Sequence, residues 1–271
     1  MILISKSLVI NSLIFPRAGN LMNQTKRSKV YRYLIRYLFK KSDYFLCQGK
    51  VWYEYAINDL KIDEDKVEII NNWTASEELI KIGENRIIDE KKNGLKIVFI
   101  GWLEKSKGVV ELVNAFNGLI KHYDINLYLI GDGRLKRTLE KFILDNKLEK
   151  NIHLLGWLDD FGVKKNLIDA DIFVLPSKNE GMPNSLIESM ASGVPSICSK
   201  VGSVPNFILN EENGILIESH DIDLLKKTME KLILDFRLRK KISKNGIITA
   251  KNNFSEKHSL NKLVRIIRKI K

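Results

Sequence analysis

The chain has 271 residues, 44% hydrophobic and 29% charged, enough to bury one large core or two modest ones and ordinary for a globular protein. No run approaches the ~20 apolar residues of a membrane-crossing helix. The two cysteines, Cys47 and Cys198, have neither metal nor redox spacing and fit a reducing cytoplasm. The net charge of +12 is concentrated rather than spread; with no aromatic stacking motif or recognised binding fold around it, it does not point to nucleic acid.

The opening MILISKSLVINSLIF is apolar, broken by Lys6 and without a small-residue cleavage site, so it reads as a buried strand rather than a signal peptide. Arg17-Ala18-Gly19-Asn20 is a polar, glycine-bearing turn after it. From Lys26 to Lys41 there are seven basic residues (Lys26, Arg27, Lys29, Arg32, Arg36, Lys40, Lys41) and no acid. Tyr31, Leu34, Ile35, Leu38 and Phe39 recur between them at helical spacing, which predicts a basic amphipathic helix over Lys29–Phe39. Ser42–Cys47 reads as a strand, Val51–Leu60 as a helix and Val67–Ile70 as a strand. The C-terminus, Lys257–Lys271, repeats the basic amphipathic pattern: Leu260, Leu263, Ile266, Ile267 and Ile270 against Lys262, Arg265, Arg268, Lys269 and Lys271. Such helices either dock on an anionic membrane surface or are ordinary faces of a lysine-rich protein.

The second half alternates strands and helices. Leu95–Gly101 is a strand and Gly108–Tyr123 a helix; Ile125–Ile130 is a strand closed by Gly131-Asp132-Gly133, and Leu135–Leu148 a helix. Asn151–Leu155 is a strand, Val163–Ile168 a short helix and Asp171–Leu175 a strand. Pro195–Ser199 and Gly214–Ile217 supply two more strands, and Asp221–Ile242 reads as one long helix. This alternation predicts a Rossmann-like parallel sheet wrapped by helices. Ligands of such sheets bind beyond the carboxyl ends of the strands, where Gly101, Gly131, Ser177 and Glu180 fall.

The most informative block is IFVLPSKNEGMPNSLIESMASGVPSICSKVGSVPNFILNEENGILI, from Ile172 to Ile217. The strand ends at Pro176, Lys178–Pro183 is loop chemistry, and Asn184–Ala191 reads as a short helix with Pro183 at its first turn, stopped by Gly193 and Pro195. Free backbone N–H groups at that helix start, with Glu180 and Glu188 on either side, suit a ligand with a diphosphate to neutralise and sugar hydroxyls to hold. A strand–loop–helix with a surface acid at each end explains the same spacing without any ligand. After the Leu95–Gly101 strand, Gly101 lets the backbone approach a ligand closely. Lys107, beside a helix start, could neutralise a departing diphosphate. Lys105 supplies a second charge or is a solvated surface lysine; spacing does not decide.

Glu180-Gly181-x-Pro183-Asn184-Ser185-Leu186-x-Glu188-Ser189-Met190-Ala191-x-Gly193-x-Pro195, followed by Val201-Gly202-Ser203-Val204-Pro205 and Asn213-Gly214-Ile215-Leu216-Ile217, closely resembles the donor-binding segment of the family 4 glycosyltransferases. The resemblance implies a GT-B fold, a nucleotide-sugar donor and transfer with retention of anomeric configuration. It implies that Glu180 meets the transferred sugar and that Glu188 takes the ribose hydroxyls, and it makes the amides of Ser185 and Leu186 candidates for the distal phosphate, with Asn184 in the same donor-binding stretch. Gly181 and Ser177 carry over with the same segment, and Gly131-Asp132-Gly133 resembles the family turn beside the nucleotide. Gly101-Trp102-Leu103 with Lys107-Gly108 resembles the Gly-Arg-Leu…Lys-Gly motif, but Trp102 stands where the arginine usually does. Gly202–Asn206 matches the family's Gly-Gly-x-Pro-Glu loosely, and no role is assigned to it.

Asp169-Ala170-Asp171 has the Asp-x-Asp spacing of a metal site but opens a core strand at the wrong end, so no metal is expected. The histidines His122, His153, His220 and His258 lack ligand spacing. Residues 1–93 resemble the closing part of the family's N-terminal, acceptor-side domain in shortened form, residues 94–250 the complete donor domain, and 251–271 a basic helix that could cross back to the first segment. Three functional readings stay open: a transferase moving sugar to a glycan or lipid-linked acceptor in cell-surface polysaccharide synthesis, cytoplasmic and peripheral on the membrane's inner face; a donor-binding subunit whose acceptor domain lies on a partner chain; and an inactive remnant that binds sugar nucleotide.

Overall fold

The computed structural model describes residues 11–16, 20–90, 94–219 and 221–270. Most of the expected opening strand, residues 17–19 of the early turn, His220 and Lys271 lie outside the described residues. The chain forms two compact units, Met1–Trp73 with Glu256–Lys271, and Thr74–Ser255.

In the first unit, β1 (Leu13–Ile14), β2 (Tyr44–Cys47) and β3 (Val67–Ile69) form a parallel sheet in that order. Side chains alternate across it with the two-residue strand period. Phe45 and Cys47 face a core with Trp52, Tyr55 and the inner side of helix Lys29–Lys40, through Ile35 and Phe39. Leu46 faces the other way, against Ile70 and the Leu263 and Ile266 side chains of helix Glu256–Ile270. The two basic helices therefore cover opposite faces of this sheet. Ser28 caps the first, accepting from the Tyr31 N–H at 3.2 Å. A helix over Asn20–Arg27 precedes it. The helix expected over Val51–Leu60 is α-helical only to Glu54 and widens to a π-turn over Tyr55–Asp59, where the Leu60 N–H donates to the Tyr55 carbonyl.

The second unit holds a six-stranded parallel sheet, order β6-β5-β4-β7-β8-β9, with β4 Leu95–Ile100, β5 Ile125–Ile130, β6 Ile152–Gly156, β7 Ile172–Leu175, β8 Ser196–Ser199 and β9 Ile215–Ile217. The chain runs outward from β4 through β5 to β6, then returns to the other side of β4 as β7. The strand order thus reverses between β4 and β7, and a crevice opens at the carboxyl ends of such a pair. All four residues of central β7 are buried, as a strand covered on both faces requires. At roughly 1.5–3 kcal/mol for each large apolar side chain, this strand anchors the whole layer. Two helix readings are corrected. The segment expected as one helix over Asp221–Ile242 is two, Ile222–Leu234 and Phe236–Phe254, because the Asp235 carboxylate accepts from the Leu238 N–H at 2.8 Å and restarts the helix. The helix expected to reach Tyr123 ends at Asn117, with Gly118 as its cap.

Arg86, just past helix Glu77–Glu84, is a cation inside this unit with carbonyls as partners. Its guanidinium donates to the carbonyls of Ser192 (2.6 Å), Ala170 (2.7 Å) and Leu167 (2.5 Å), closing the ends of helices Asp160–Asp169 and Asn184–Ala191. Burial lowers its pKa to about 10, still protonated at neutral pH. Arg86→Met leaves three carbonyls without a charged donor and should destabilise the chain by about 3 kcal/mol, read as a lower urea midpoint with an unchanged slope.

Candidate functional site

The loops that follow β4 and β7 meet at the point where strand order reverses. After β4, the Gly101 N–H continues the sheet by donating to the Ile130 carbonyl, and the Leu103 N–H donates to that of Asp132. A single 3-10 turn over Lys105–Lys107 then leads through Gly108 into helix Val109–Asn117. After β7 the chain passes Pro176 and Ser177 to Glu180. The Lys178 N–H donates to the Ser106 carbonyl at 2.8 Å, and Lys178 pairs with Glu111 at 2.7 Å, so the two loops are stitched together by backbone and charge.

These stitches bring the two expected catalytic residues into contact. Lys107 Nζ lies 2.6 Å from Glu180 Oε1, and Ser177 Oγ donates to the same oxygen at 2.9 Å. With 23% of the lysine side chain and 11% of the glutamate exposed, the pair is partly withdrawn from water, where Coulomb attraction is felt more strongly. Lys107 points at the carboxylate rather than standing apart from it, which the sequence did not indicate. Lys105, on the same turn, is exposed and turned to solvent.

Gly131 ends β5 beside this crevice. A Cβ there would lie 2.0 Å from the Gly101 carbonyl oxygen, and its φ of +138° is one that side chains avoid, so only glycine lets these strand ends approach. In the same turn the Gly133 N–H donates to Asp132 Oδ1 at 2.7 Å, and Lys136 stands 3.8 Å from Asp132 Oδ2. Asp132 is therefore occupied in shaping its own turn.

Helix Asn184–Ala191 starts at Pro183 without a side-chain cap, and its first-turn amides, those of Ser185 and Leu186 among them, have no i−4 carbonyl inside the helix. Gly181 is exposed, and a Cβ there would meet nothing within 4 Å. One turn into the helix is Glu188. Burial, reinforced by the Asp160 carboxylate and opposed by Lys164, pushes its pKa up to about 7. Lys164 is held by Glu78 at 2.5 Å and Asp160 at 2.8 Å.

Three features escaped sequence reasoning. Gly202 packs under Glu180: a Cβ there would lie 2.0 Å from the Glu180 carbonyl oxygen, and the Ser203 N–H donates to the Gly181 carbonyl at 2.7 Å. The loosely matching Gly202–Ser203 turn thus braces the glutamate loop. Trp102, standing where the family arginine usually does, has its ring 5.6 Å from that of Trp157, just past β6, and both are more than half exposed. Third, Lys178 and Glu111 are spaced too far apart in sequence to be paired by inspection. Asp171, the second acid of the Asp-x-Asp spacing, accepts from the Lys96 N–H at 2.8 Å at the start of β7, remote from the strand's carboxyl end. Among the described residues no three or more His, Cys, Asp or Glu side chains gather in a way that could hold a metal ion.

Residues 82–249 match the family described as Glycosyl transferases group 1. This chain belongs to that family. It is 31% identical over 245 residues to an uncharacterized glycosyltransferase of Methanocaldococcus jannaschii, covering 90% of this chain and 64% of the relative. It is 29% identical over 252 residues to the UDP-Gal:alpha-D-GlcNAc-diphosphoundecaprenol alpha-1,3-galactosyltransferase of Escherichia coli, covering 86% and 64%. The chain thus spans under two thirds of the length of these curated relatives. Anabaena HepE, crystallised with UDP and glucose, shares its fold with a TM-score of 0.80 at 15% identity, over 98% of this chain and 74% of that one. The GT-B-like α/β class expected from the sequence, with its Rossmann-like parallel sheet, is the architecture of this group 1 glycosyltransferase domain.

The raised pKa of Glu188 has a direction that can be measured. A carboxyl that is harder to ionise when folded makes its stabilising contribution at low pH and loses it as pH rises toward about 7. Thermal stability of the chain should fall over that window, and Glu188→Gln should flatten the fall; an equal slope in both proteins contradicts the assignment.

Proposed function

We propose that this chain supplies the donor half of a retaining family 4 glycosyltransferase. It moves a sugar from a nucleotide-diphosphate sugar to a glycan or lipid-linked acceptor in cell-surface polysaccharide synthesis, on the cytoplasmic side of a membrane. The observation that carries this reading is the Lys107–Glu180 pair, set where strand order reverses and next to an uncapped helix start. The names of the relatives support the acceptor class, since the Escherichia coli protein transfers to a diphosphoundecaprenol-linked sugar.

In this mechanism the donor's diphosphate draws Lys107 away from Glu180 and lies against the amides of Ser185 and Leu186, with Asn184 at the same turn. Charge on the leaving group is then met by a cation and by the positive end of a helix. Gly101 and Gly131 let the backbone come close to the nucleotide, and Glu188 accepts from the ribose hydroxyls. Glu180, released by Lys107 and still held by Ser177, orients the sugar by its hydroxyls. The bond between the anomeric carbon and the diphosphate oxygen breaks. The acceptor oxygen bonds to the same face of that carbon, and its proton passes to the departing diphosphate. No protein nucleophile and no metal is called for, since Lys107 and the helix amides supply the charge stabilisation.

Glu180→Ala should lower transfer by 10²-fold or more while nucleotide binding, followed by thermal shift, stays measurable. A ligand at ~100 times its dissociation constant stabilises by ~2.7 kcal/mol, which such an assay resolves. Unchanged turnover overturns the role of Glu180, and absence of any nucleotide-induced shift in the wild-type chain overturns the donor site itself.

A further inference from the structure

Helix Lys29–Lys40 is apolar on two sides, and among the described residues only one of them is covered by the fold. At about 100° per residue its side chains fall into three arcs. Ile35 and Phe39 turn inward onto Phe45 and its neighbours. Lys29, Arg32, Arg36 and Lys40 form a basic line along one border. Val30, Tyr33, Leu34 and Tyr37, at i, i+3, i+4 and i+7, form a stripe that faces outward. They are 72%, 70%, 52% and 49% exposed, which is unusual for four neighbouring large apolar residues on one helix. Lys41 closes the stripe's far end, its ammonium 4.4 Å from the centre of the Tyr37 ring. Arg32 is taken up by the Thr25 carbonyl at 2.9 Å. Among the described residues Lys26, Arg27, Lys29, Arg36 and Lys40 have no carboxylate partner.

We infer that this outer stripe with its basic border is a docking face for an anionic lipid surface. The inference extends the transfer reading, on which the need to reach a lipid-linked acceptor rests, by naming the part of the chain that would be held at the headgroups. Three observations favour lipid over a protein partner. The seven cations from Lys26 to Lys41 are uninterrupted by any acid, a pattern complementary to phosphate headgroups rather than to the mixed charge of a protein rim. The stripe is one helix wide and four residues long, a small area for a stable protein interface but enough for a helix lying in the headgroup region. Two of its four side chains are tyrosines, whose rings are favoured at that depth. No helix among the described residues is long and apolar enough to cross a membrane, so contact through this helix would be peripheral.

Helix Glu256–Ile270 shows a similar exposed row, Leu260, Val264 and Ile267. It covers the opposite face of the three-stranded sheet, and its Lys262 and Lys269 stand 3.8 and 3.5 Å from Glu68. A flat surface cannot take both rows at once, and the one assigned is the row whose neighbouring cations, from Lys26 to Lys41, make no carboxylate pair among the described residues, whereas two cations of the other helix are held by Glu68.

The test is co-sedimentation of the full chain with sucrose-loaded vesicles of phosphatidylcholine alone or with phosphatidylglycerol added. It compares wild type with two double variants, Tyr33→Ser with Leu34→Ser, both exposed, and half-buried Arg36→Ser with exposed Lys40→Ser. Circular dichroism checks that each is folded. Wild type should bind the anionic vesicles at least 10-fold more tightly than the neutral ones. Removing two border cations should weaken binding about 25-fold, at a factor of about five for each charge, and removing the two apolar side chains should also weaken it at least 10-fold. Equal binding to both vesicle types, no binding to either, or double variants that bind like wild type overturns the proposal. So does self-association of the chain that both double variants abolish, since a second copy would then be the occupant. Nucleotide-induced thermal shift should be the same in all three proteins; its absence from wild type would sink the donor reading and leave the vesicle result standing.

Discussion

The contact on which the site depends is the ion pair between Lys107 and Glu180. Each residue sits on a loop leaving one of the two strands, β4 and β7, between which the strand order of the sheet reverses. Neither loop is regular secondary structure beyond one short turn, so their mutual position comes from cross-links. These are the Lys178 N–H to the Ser106 carbonyl and the Lys178–Glu111 pair, while the Ser177 hydroxyl holds Glu180 within its own loop. Removing either charge would leave its partner partly buried and uncompensated, which is costlier than losing an exposed pair. The pair therefore holds the crevice in shape and at the same time stores the two groups that a charged sugar donor would need.

The surrounding residues set the electrostatics of that crevice in two directions. Around Lys107 and the start of helix Asn184–Ala191 the balance favours anions. Around Glu188 it does not: burial and Asp160 push the carboxyl's pKa up to about 7, with Lys164 divided between Asp160 and Glu78. A diphosphate at one end and neutral hydroxyls at the other match this gradient. Gly202, wedged under the Glu180 carbonyl, braces the loop that lies between them.

Much of this was legible in the sequence, for reasons particular to each element. The alternation from Leu95 to Ile217 predicted a parallel sheet because fully buried strands such as Ile172–Leu175 are continuous apolar runs bounded by Pro176 or glycine. Helix Asn184–Ala191 was legible to the residue, since Pro183 and Gly193 punctuate it. Leu225, Met229, Leu232 and Phe236 keep helical spacing across the break at Asp235 and so hide it; the capping aspartate was the available signal. The side chains that surround the two glutamates were not legible, because Lys178–Glu111, Lys164–Glu78 and Gly202–Glu180 are contacts between segments far apart in sequence, and single-chain spacing holds no record of them. Trp102 is the opposite case. The sequence showed that it departs from the family arginine, and only the fold shows that it lies beside Trp157.

The central claim, that Lys107 passes from Glu180 to a donor diphosphate, is tested most directly by a double-mutant cycle on nucleoside-diphosphate affinity measured by calorimetry. Lys107→Met should weaken binding at least 10-fold. Glu180→Gln should tighten it, because the lysine loses its competing carboxylate, and that gain should vanish in the double variant. If Glu180→Gln weakens diphosphate binding, or the two changes simply add, the lysine is not exchanged between these partners and the account fails.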